Sequence, residues 1–392
     1  MDVVDIVDII LAVLIILSFI HGIRLGAAVQ VLSFGGLLAG LVAGSFLAPS
    51  AASIVSGSTA KSIVALVVVF LMAAVLGAVG RLVGLKIVPY VRMIGLRPLD
   101  SLLGAAVAVL ATLTVAWLLS GLLVTQRFPA LSRDIQRSVI LHEMDSVLPP
   151  TPSWISRLQS LVDSKGFPSV FANLIPEVAP PVKVAGGPQV AKAVAADEAS
   201  TVKVVGAGCG QIQEGSGFVV APGLVLTNAH VVAGIAHPYV LDAAGQHRSV
   251  AVYFDPRFDL SLLRVPGLVD PPLHILGSKV PRGTIAAVLG YPEGGPFNAR
   301  PAGVMAEFMA QGRDIYGQGL TDRHVYEVQA VVQPGNSGGP LVEPNGSVIG
   351  VVFSRSVTNP NIGFALASPG VLSRVTKAEK STTPSGTGSC IP

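Results

Sequence analysis

The hydrophobic residues follow two different patterns along the chain. In the first third they form four nearly continuous apolar stretches, at Val3–Ile20, Ala27–Leu47, Ser62–Gly80 and Ser101–Val124. Each approaches the roughly 20 residues that a helix needs to cross about 30 Å of hydrocarbon. We therefore predict an all-α membrane domain with four transmembrane helices over residues 1–124.

The last half of the chain has a β-type pattern. From about Asp197 onward, short apolar runs alternate with Gly, Pro, Asn and Asp: VKVV, SGFVV, LVLT, SVAVYF, LSLLRV, TIAAVLGY, VYEVQAVV and GSVIGVVF. Runs of this length and spacing are typical of an all-β barrel or sandwich. We predict one all-β domain over residues 197–392, with enough chain for two small barrels.

Residues 125–196 mix short amphipathic pieces with helix-breaking residues and are predicted to be a linker. Helical spacing of Ile and Leu favours a short helix over Ser153–Ser164. The segment Ile175–Pro188, IPEVAPPVKVAGGP, is too rich in Pro and Gly for a regular element and is expected to be a semi-rigid tether.

Charge agrees with this division. The chain has 26 Lys and Arg and 23 Asp and Glu, and only ten of these lie in residues 1–124. The mean hydropathy of +0.66 is too high for an ordinary soluble protein. The net charge of +3 comes without a dense basic run, so no nucleic-acid partner is expected.

Basic residues also predict the topology, because Lys and Arg near span ends stay in the cytoplasm. The loops after the first and third spans are the basic ones, whereas the loop after the second holds a single lysine, Lys61. Both termini should then lie outside the cytoplasm, in a multi-pass protein of the cell membrane with a periplasmic or extracytoplasmic C-terminal domain. One group of basic residues after the fourth span opposes this topology: Arg127, Arg133 and Arg137.

Two further features have alternative interpretations. Gly36, Gly40 and Gly44 share a helical face, which indicates close helix packing either within the chain or in self-association. Cys209 and Cys390 can form one disulfide in an oxidising compartment or remain buried thiols in a reducing one. The predicted topology favours the disulfide.

Three fragments carry candidate chemistry. They are LVLTNAHVV with His230, FDLSLLRV with Asp259, and PGNSGGPL with Ser337. Each alone is compatible with a structural role. Together they supply what a serine nucleophile requires: a histidine base, and a carboxylate that fixes the tautomer of that base and stabilises the imidazolium.

The segments EGSGFVV, LVLTNAHVV, DLSLLRV, GNSGGPLV and NIGFALAS resemble bacterial HtrA-type members of the trypsin-like superfamily. This resemblance implies a chymotrypsin-like double β-barrel and a serine endopeptidase in which His230 is the general base, Asp259 orients it and Ser337 is the nucleophile. It also implies an oxyanion hole formed by the N–H groups of Gly335 and Ser337. The substrate pocket that it implies is formed by Val331, Val352, Phe353, Ser354 and Arg355. The position of Val331 carries no acidic side chain, which favours an apolar P1 residue in the substrate.

The first third resembles the membrane domain of the colicin V production type. In one respect the chain departs from the HtrA pattern, because no PDZ-type segment is expected after the protease-like region. The combination is similar to actinobacterial periplasmic serine proteases associated with acid resistance. This similarity implies protein or peptide substrates in the cell envelope and a role in envelope or acid stress. The alternative is a catalytically latent barrel that binds peptides or signals for the membrane domain.

No cofactor or metal is expected. GAGCG at 206–210 lacks the third glycine and the following helix of a dinucleotide-binding loop. His230 and His237 have no Cys or carboxylate set at zinc-ligand spacing.

Overall fold

The computed structural model describes residues 6–56, 58–93, 97–124, 129–149, 152, 155 and 179–391. The chain divides into two compact units, and of the described residues those up to 155 belong to the first and 179–391 to the second. The helix predicted over Ser153–Ser164 lies outside the described residues, apart from Ile155.

The first unit is helical. Four helices are long and apolar enough to cross a membrane: α1 (Ile6–Leu25), α2 (Ala27–Ala52), α3 (Ser58–Met93) and α4 (Arg97–Leu123). Two short helices follow, α5 (Pro129–Arg137) and α6 (Val139–Val147). The four predicted spans are confirmed as helices. Helix α3 continues past the predicted end at Gly80, because its last turns are amphipathic and the hydropathy pattern marks only the apolar part.

Glycines bring α2 and α3 together. A Cβ atom added to Gly36 would lie 2.2 Å from the carbonyl oxygen of Leu76, and one added to Gly40 would lie 2.4 Å from that of Met72. Gly44 approaches the α3 backbone in the same way. The glycine face is therefore occupied by α3 of the same chain. Packing within the chain accounts for the spacing of these glycines, and self-association through this face is not what the structure shows.

Asp8, near the start of α1, caps helix α6. Its carboxylate accepts hydrogen bonds from the Ser138 hydroxyl at 2.6 Å and from the N–H groups of Val139 and Ile140 at 3.1 and 3.2 Å. The first N–H groups of a helix have no partner within the helix, so this carboxylate satisfies donors that α6 would otherwise leave open.

The second unit contains two sheets, antiparallel throughout except for the short strand β8 (His274–Ile275), which pairs with β13 (Ser347–Arg355) in parallel. The first has the order β5-β4-β1-β2-β3-β7-β6. Its strands are β1 (Thr201–Gly208), β2 (Gln211–Ala221), β3 (Leu224–Thr227), β4 (Tyr239–Leu241), β5 (Gln246–Arg248), β6 (Val250–Asp255) and β7 (Leu260–Arg264).

The second sheet has the order β12-β9-β10-β11-β14-β13-β8, and the additional pairing of β12 with β13 closes it into a barrel. Its strands are β8 (His274–Ile275), β9 (Ile285–Gly290), β10 (Asn298–Arg313), β11 (Leu320–Gln329), β12 (Pro340–Val342), β13 (Ser347–Arg355) and β14 (Ile362–Ala367). The predicted class, a helical membrane domain followed by an all-β trypsin-like domain, is confirmed.

One apolar cluster joins the two sheets. Phe218 and Leu226 of the first sheet share it with Leu289 and Phe353 of the second, and all four side chains are at most 1% exposed. Burial of such large side chains is the main stabilising contribution available to the domain. The junction between the two sheets is therefore rigid enough to support a site built from both.

Residues 179–186, which we call the leading segment, are bound to the second barrel. The N–H of Ala179 donates to Glu327 Oε2 at 3.0 Å, and the N–H of Val182 donates to Gln329 Oε1 at 2.8 Å. Helix α7 (Gly187–Asp197) follows, and its Ala193 packs into the shared core. Both elements fall inside the stretch 125–196 that sequence alone assigns to the linker.

The C-terminal tail returns to the first barrel after helix α9 (Ser368–Ala378). The N–H of Ser385 donates to the carbonyl of Ala251 at 2.7 Å, and the N–H of Gly234 donates to the carbonyl of Thr387 at 3.1 Å. Cys390 then forms a disulfide with Cys209, which lies between β1 and β2. The tail thus links the end of the second barrel to the first.

Candidate active site

His230 lies one turn after the end of a buried strand. Strand β3 ends at Thr227, and the four-residue helix α8 (Ala229–Val232) begins two residues later. Ala229 and Val232 on either side are fully buried, so the backbone is fixed while the imidazole remains 13% exposed. A histidine held in this way keeps its ring accessible to a second reactive group.

Asp259 fixes the orientation of that imidazole. Its Oδ2 lies 2.7 Å from His230 Nδ1, and its Oδ1 accepts the backbone N–H of His230 at 2.9 Å. The Asn228 side chain donates to the Asp259 carbonyl at 2.8 Å. Because an ionised carboxylate only accepts hydrogen bonds, Nδ1 must carry the proton, and Nε2 of the neutral ring is then free to act as a base.

Ser337 lies in the loop that precedes β12 and is held against the first barrel. Its carbonyl accepts the N–H of Ser216 at 2.8 Å, and the Ser216 hydroxyl donates to the carbonyl of Gly335 at 2.6 Å. Gly335 and Gly338 have φ of 92° and 84°, a region that favours glycine. The backbone on both sides of the serine is therefore fixed in one conformation.

Gly335 has the peptide orientation that an oxyanion hole requires. The carbonyl of Pro334 accepts the N–H of Glu293 at 2.6 Å. The C=O and N–H groups of a trans peptide point in opposite directions, so the N–H of Gly335 points away from Glu293.

The same argument applies to Ser337. The carbonyl of Asn336 accepts the N–H of Gly339 at 3.0 Å, which directs the N–H of Ser337 to the opposite side. Among the described residues, neither the N–H of Gly335 nor that of Ser337 has an acceptor. Two preorganised donors of this kind can stabilise an oxyanion.

The serine and histidine side chains are not joined by a hydrogen bond among the described residues. Catalytic hydrogen bonds are often long in unliganded enzymes and shorten when substrate binds. The arrangement therefore supplies an oriented base, an ordered serine and two free N–H donors.

The residues predicted to line the substrate pocket differ in accessibility. Val352 and Phe353 are fully buried in core clusters, and Ser354 is 2% exposed. Val331, in contrast, is 41% exposed, and Arg355 is partly exposed. Val331 and Arg355 thus present accessible side-chain surface, whereas the side chains of Val352, Phe353 and Ser354 are buried, and the backbone N–H and C=O of Val352 are bonded to Gly339 and Gly338.

Sequence reasoning missed three residues around this site: Ser216, Glu293 and Arg323. Ser216 lies within the EGSGFVV motif, which marks the strand but not the hydroxyl. Glu293 has φ of 54°, and nothing in the sequence predicts that conformation for a glutamate.

Among the described residues, no group of three or more His, Cys, Asp or Glu side chains is placed to bind a metal ion.

The fold and the geometry around Ser337 define the class: a trypsin-like serine protease joined to a membrane-associated helical domain. Residues 215–351 match the trypsin-like peptidase domain, and residues 7–149 match the colicin V production protein family. Serine protease Rv3671c of Mycobacterium tuberculosis is 35% identical over 388 residues, which cover 96% of each chain. The protein belongs to the family of this serine protease.

Two further relatives agree with this assignment. The crystal structure of the active form of the Rv3671c protease from M. tuberculosis is 38% identical, covers 55% of this chain and 97% of its own, and gives a TM-score of 0.53. A probable periplasmic DegP-like serine endoprotease of Brucella abortus is 34% identical over 165 residues, which cover 40% of this chain and 31% of the relative. The second match covers less than half of this chain and agrees with the predicted resemblance to HtrA-type enzymes.

Proposed function

We propose that the protein hydrolyses peptide bonds of envelope proteins through a triad of His230, Asp259 and Ser337. His230 Nε2 removes the hydroxyl proton as Ser337 Oγ attacks the substrate carbonyl, and the N–H groups of Gly335 and Ser337 stabilise the oxyanion. His230 then gives the proton to the departing amine, which leaves an acyl-enzyme. Water activated by His230 hydrolyses the ester and regenerates the serine. The observation that carries the proposal is the 2.7 Å contact between His230 and Asp259 beside an ordered serine loop.

The protease unit is proposed to act outside the cytoplasm. The distribution of Lys and Arg around the four spans supports this orientation. So does the Cys209–Cys390 disulfide, because structural disulfides persist in oxidising compartments. A role in envelope or acid stress rests on the similarity to actinobacterial periplasmic proteases.

Substrates are proposed to present an apolar P1 side chain. The support is the aliphatic side chain of Val331, which is partly exposed and carries no charge to pair with Lys or Arg. The leading segment and α7 are proposed to belong to the protease domain, which would then begin near residue 179 instead of 197.

Labelling of the full-length protein with a fluorophosphonate probe tests the triad, because the probe reacts only with an activated serine. We expect labelling of the wild type between pH 6 and 8 and its loss in Ser337→Ala and His230→Ala. His237→Ala is the matched control, since His237 is an exposed histidine in the same loop. Absence of labelling in a folded wild-type protein would favour the latent, peptide-binding alternative.

A further inference from the structure

Arg323 is an arginine buried in the second barrel. It lies on β11 opposite Ala310 of β10, and only 3% of it is exposed. Its Nε donates to the carbonyl of Arg257 at 2.9 Å, and its Nη2 donates to that carbonyl and to the carbonyl of Arg313 at 2.7 Å. A guanidinium is costly to bury without such partners, so these bonds fix its position.

The Arg257 carbonyl belongs to the turn that presents Asp259. Asp259 has φ of 64°, a left-handed conformation that a non-glycine residue keeps only when its surroundings enforce it. The turn is closed by the Asp259 N–H, which donates to the Asp255 carbonyl at 2.9 Å. From the second barrel, the N–H of Ile315 donates to the Pro256 carbonyl at 3.0 Å. The β10–β11 hairpin therefore holds two successive carbonyls of this turn, one from its connecting loop and one from β11.

Arg323 also interacts electrostatically with the carboxylate of Asp259. Burial lowers the pKa of the Arg323 guanidinium, and the negative charge of Asp259 opposes that effect more than any other carboxylate does. The remaining charged groups that act on Arg323 are two carboxylates and one cation: Asp255, Asp314 and Arg374. The guanidinium remains charged at all accessible pH values, so it supplies a fixed positive charge near Asp259.

We propose that Arg323 is a positioning residue for the reaction. Through the Arg257 carbonyl it holds the turn that presents Asp259 to His230. This inference rests on the proposed triad. It assigns part of the catalytic geometry of the first barrel to a side chain of the second.

Arg282 provides a matched comparison. It also belongs to the second barrel, and its guanidinium also donates to backbone carbonyls, those of Met305 at 2.6 Å and Pro180 at 2.9 Å. These partners lie on β10 and the leading segment, and none belongs to the turn at 255–259. Arg282 is exposed whereas Arg323 is buried, so this comparison controls for the loss of guanidinium–carbonyl hydrogen bonds in the second barrel.

The test measures the rate of fluorophosphonate inactivation against pH in the full-length protein, for wild type, Arg323→Gln, Arg323→Lys and Arg282→Gln. Gln can still donate to the Arg257 carbonyl but has no charge, whereas Lys keeps the charge in a different geometry. We expect Arg323→Gln to lower the maximal inactivation rate by about tenfold or more, with little change in the probe concentration for half-saturation. Its acidic limb should move up by roughly half a pH unit, because a positive charge near the proposed triad is removed.

Arg323→Lys should keep the wild-type acidic limb while losing part of the maximal rate. Arg282→Gln should retain both. The proposal would be overturned if Arg323→Gln had the same acidic limb and the same maximal inactivation rate as the wild type. It would also be overturned if Arg282→Gln lost as much of the maximal rate as Arg323→Gln. If both Arg323 variants lose folded structure while Arg282→Gln keeps it, the role of Arg323 is structural and the proposal fails. Failure of the triad itself is distinguishable, because the wild type would then not be labelled at all.

Discussion

The two units differ in where they place their large apolar side chains. In the helical unit many of these side chains lie on the surface, whereas in the protease unit most of them lie in the core. In the helical unit Phe46 is 64% exposed and Leu17 is 56% exposed, whereas in the protease unit Phe218 and Leu260 are completely buried. Contacts between α2 and α3 are made instead by glycines against backbone. Lipid tails solvate apolar side chains, so helices in a membrane gain little from burying them and associate through close backbone packing. Water does not solvate apolar side chains favourably, so the barrels fold around a large apolar core.

Matched phenylalanine substitutions should give the largest difference between the units. Phe218→Ala removes a fully buried ring and should lower the free energy of unfolding of the protease unit by about 3–5 kcal/mol. Phe46→Ala removes an exposed ring and should leave the protease unit unchanged. The effect is measured by denaturing the full-length protein and using the loss of fluorophosphonate labelling as the signal for unfolding. Equal midpoints for the two variants would contradict the assignment of the core.

A second pair of substitutions tests glycine packing in the helical unit. A side chain at Gly40 would collide with the α3 backbone, whereas a Cβ at Gly35 would meet nothing within 4 Å. Gly40→Leu should therefore destabilise the helical unit by about 1–3 kcal/mol, and Gly35→Leu should have little effect. The two tryptophans of the chain, Trp117 and Trp154, both precede the protease unit, so tryptophan fluorescence in detergent follows the helical unit alone. Similar unfolding of the two variants would rule out the α2–α3 contact.

The smallest effect concerns a carboxylate in each unit. Asp8 is hydrogen-bonded to the start of α6, whereas Asp197 is 2% exposed and its Oδ2 has no partner. Burial raises the pKa of Asp197 to about 7. The folded state thus favours the protonated form, and this contribution to stability is complete below pH 4 and is lost as pH rises to about 7. Asp197→Asn should stabilise the protease unit by about 1–2 kcal/mol at pH 8 and have little effect at pH 4.

Thermal unfolding of wild type and Asp197→Asn across this pH range is the measurement. The difference between the two should grow with pH. A difference independent of pH would show that Asp197 is not neutral in the folded protein.

Much of the fold could be predicted because its pattern is local. The apolar stretches mark α1–α4, and each of the eight apolar runs named from the sequence lies in or overlaps a strand. Strand β10 was missed, since NARPAGVMAEFMAQGR has no alternation, and it forms through pairing with β9 and β11 on its two sides. Helix α7 was missed because GPQVAKAVAAD follows a Pro-rich stretch and is stabilised by its contact with the core.

The residues of the candidate site also differ in whether a local sequence pattern could predict them. His230, Asp259 and Ser337 each lie in a short motif with fixed neighbours, so the sequence could suggest them. Arg323 acts across the interface between the barrels, 66 residues along the chain from Arg257 in the turn that it holds, and only the folded structure brings the two together. Contacts of this kind leave no local signal.

The hydrogen bonds of the leading segment also have a mechanical consequence. Of the described residues of the protease unit, Ala179 and Val182 come early in the chain, and tension from the side of the helical unit would act on their hydrogen bonds to Glu327 and Gln329 of β11. Because β11 is paired with β10 over Leu320–Gln329 and with β14 over Val325–Gln329, the force is distributed over neighbouring strands of the barrel. Strand β11 also carries Arg323, which donates to the carbonyl of Arg257, so the strand that receives a pull from the helical unit is the one proposed to hold the turn of Asp259.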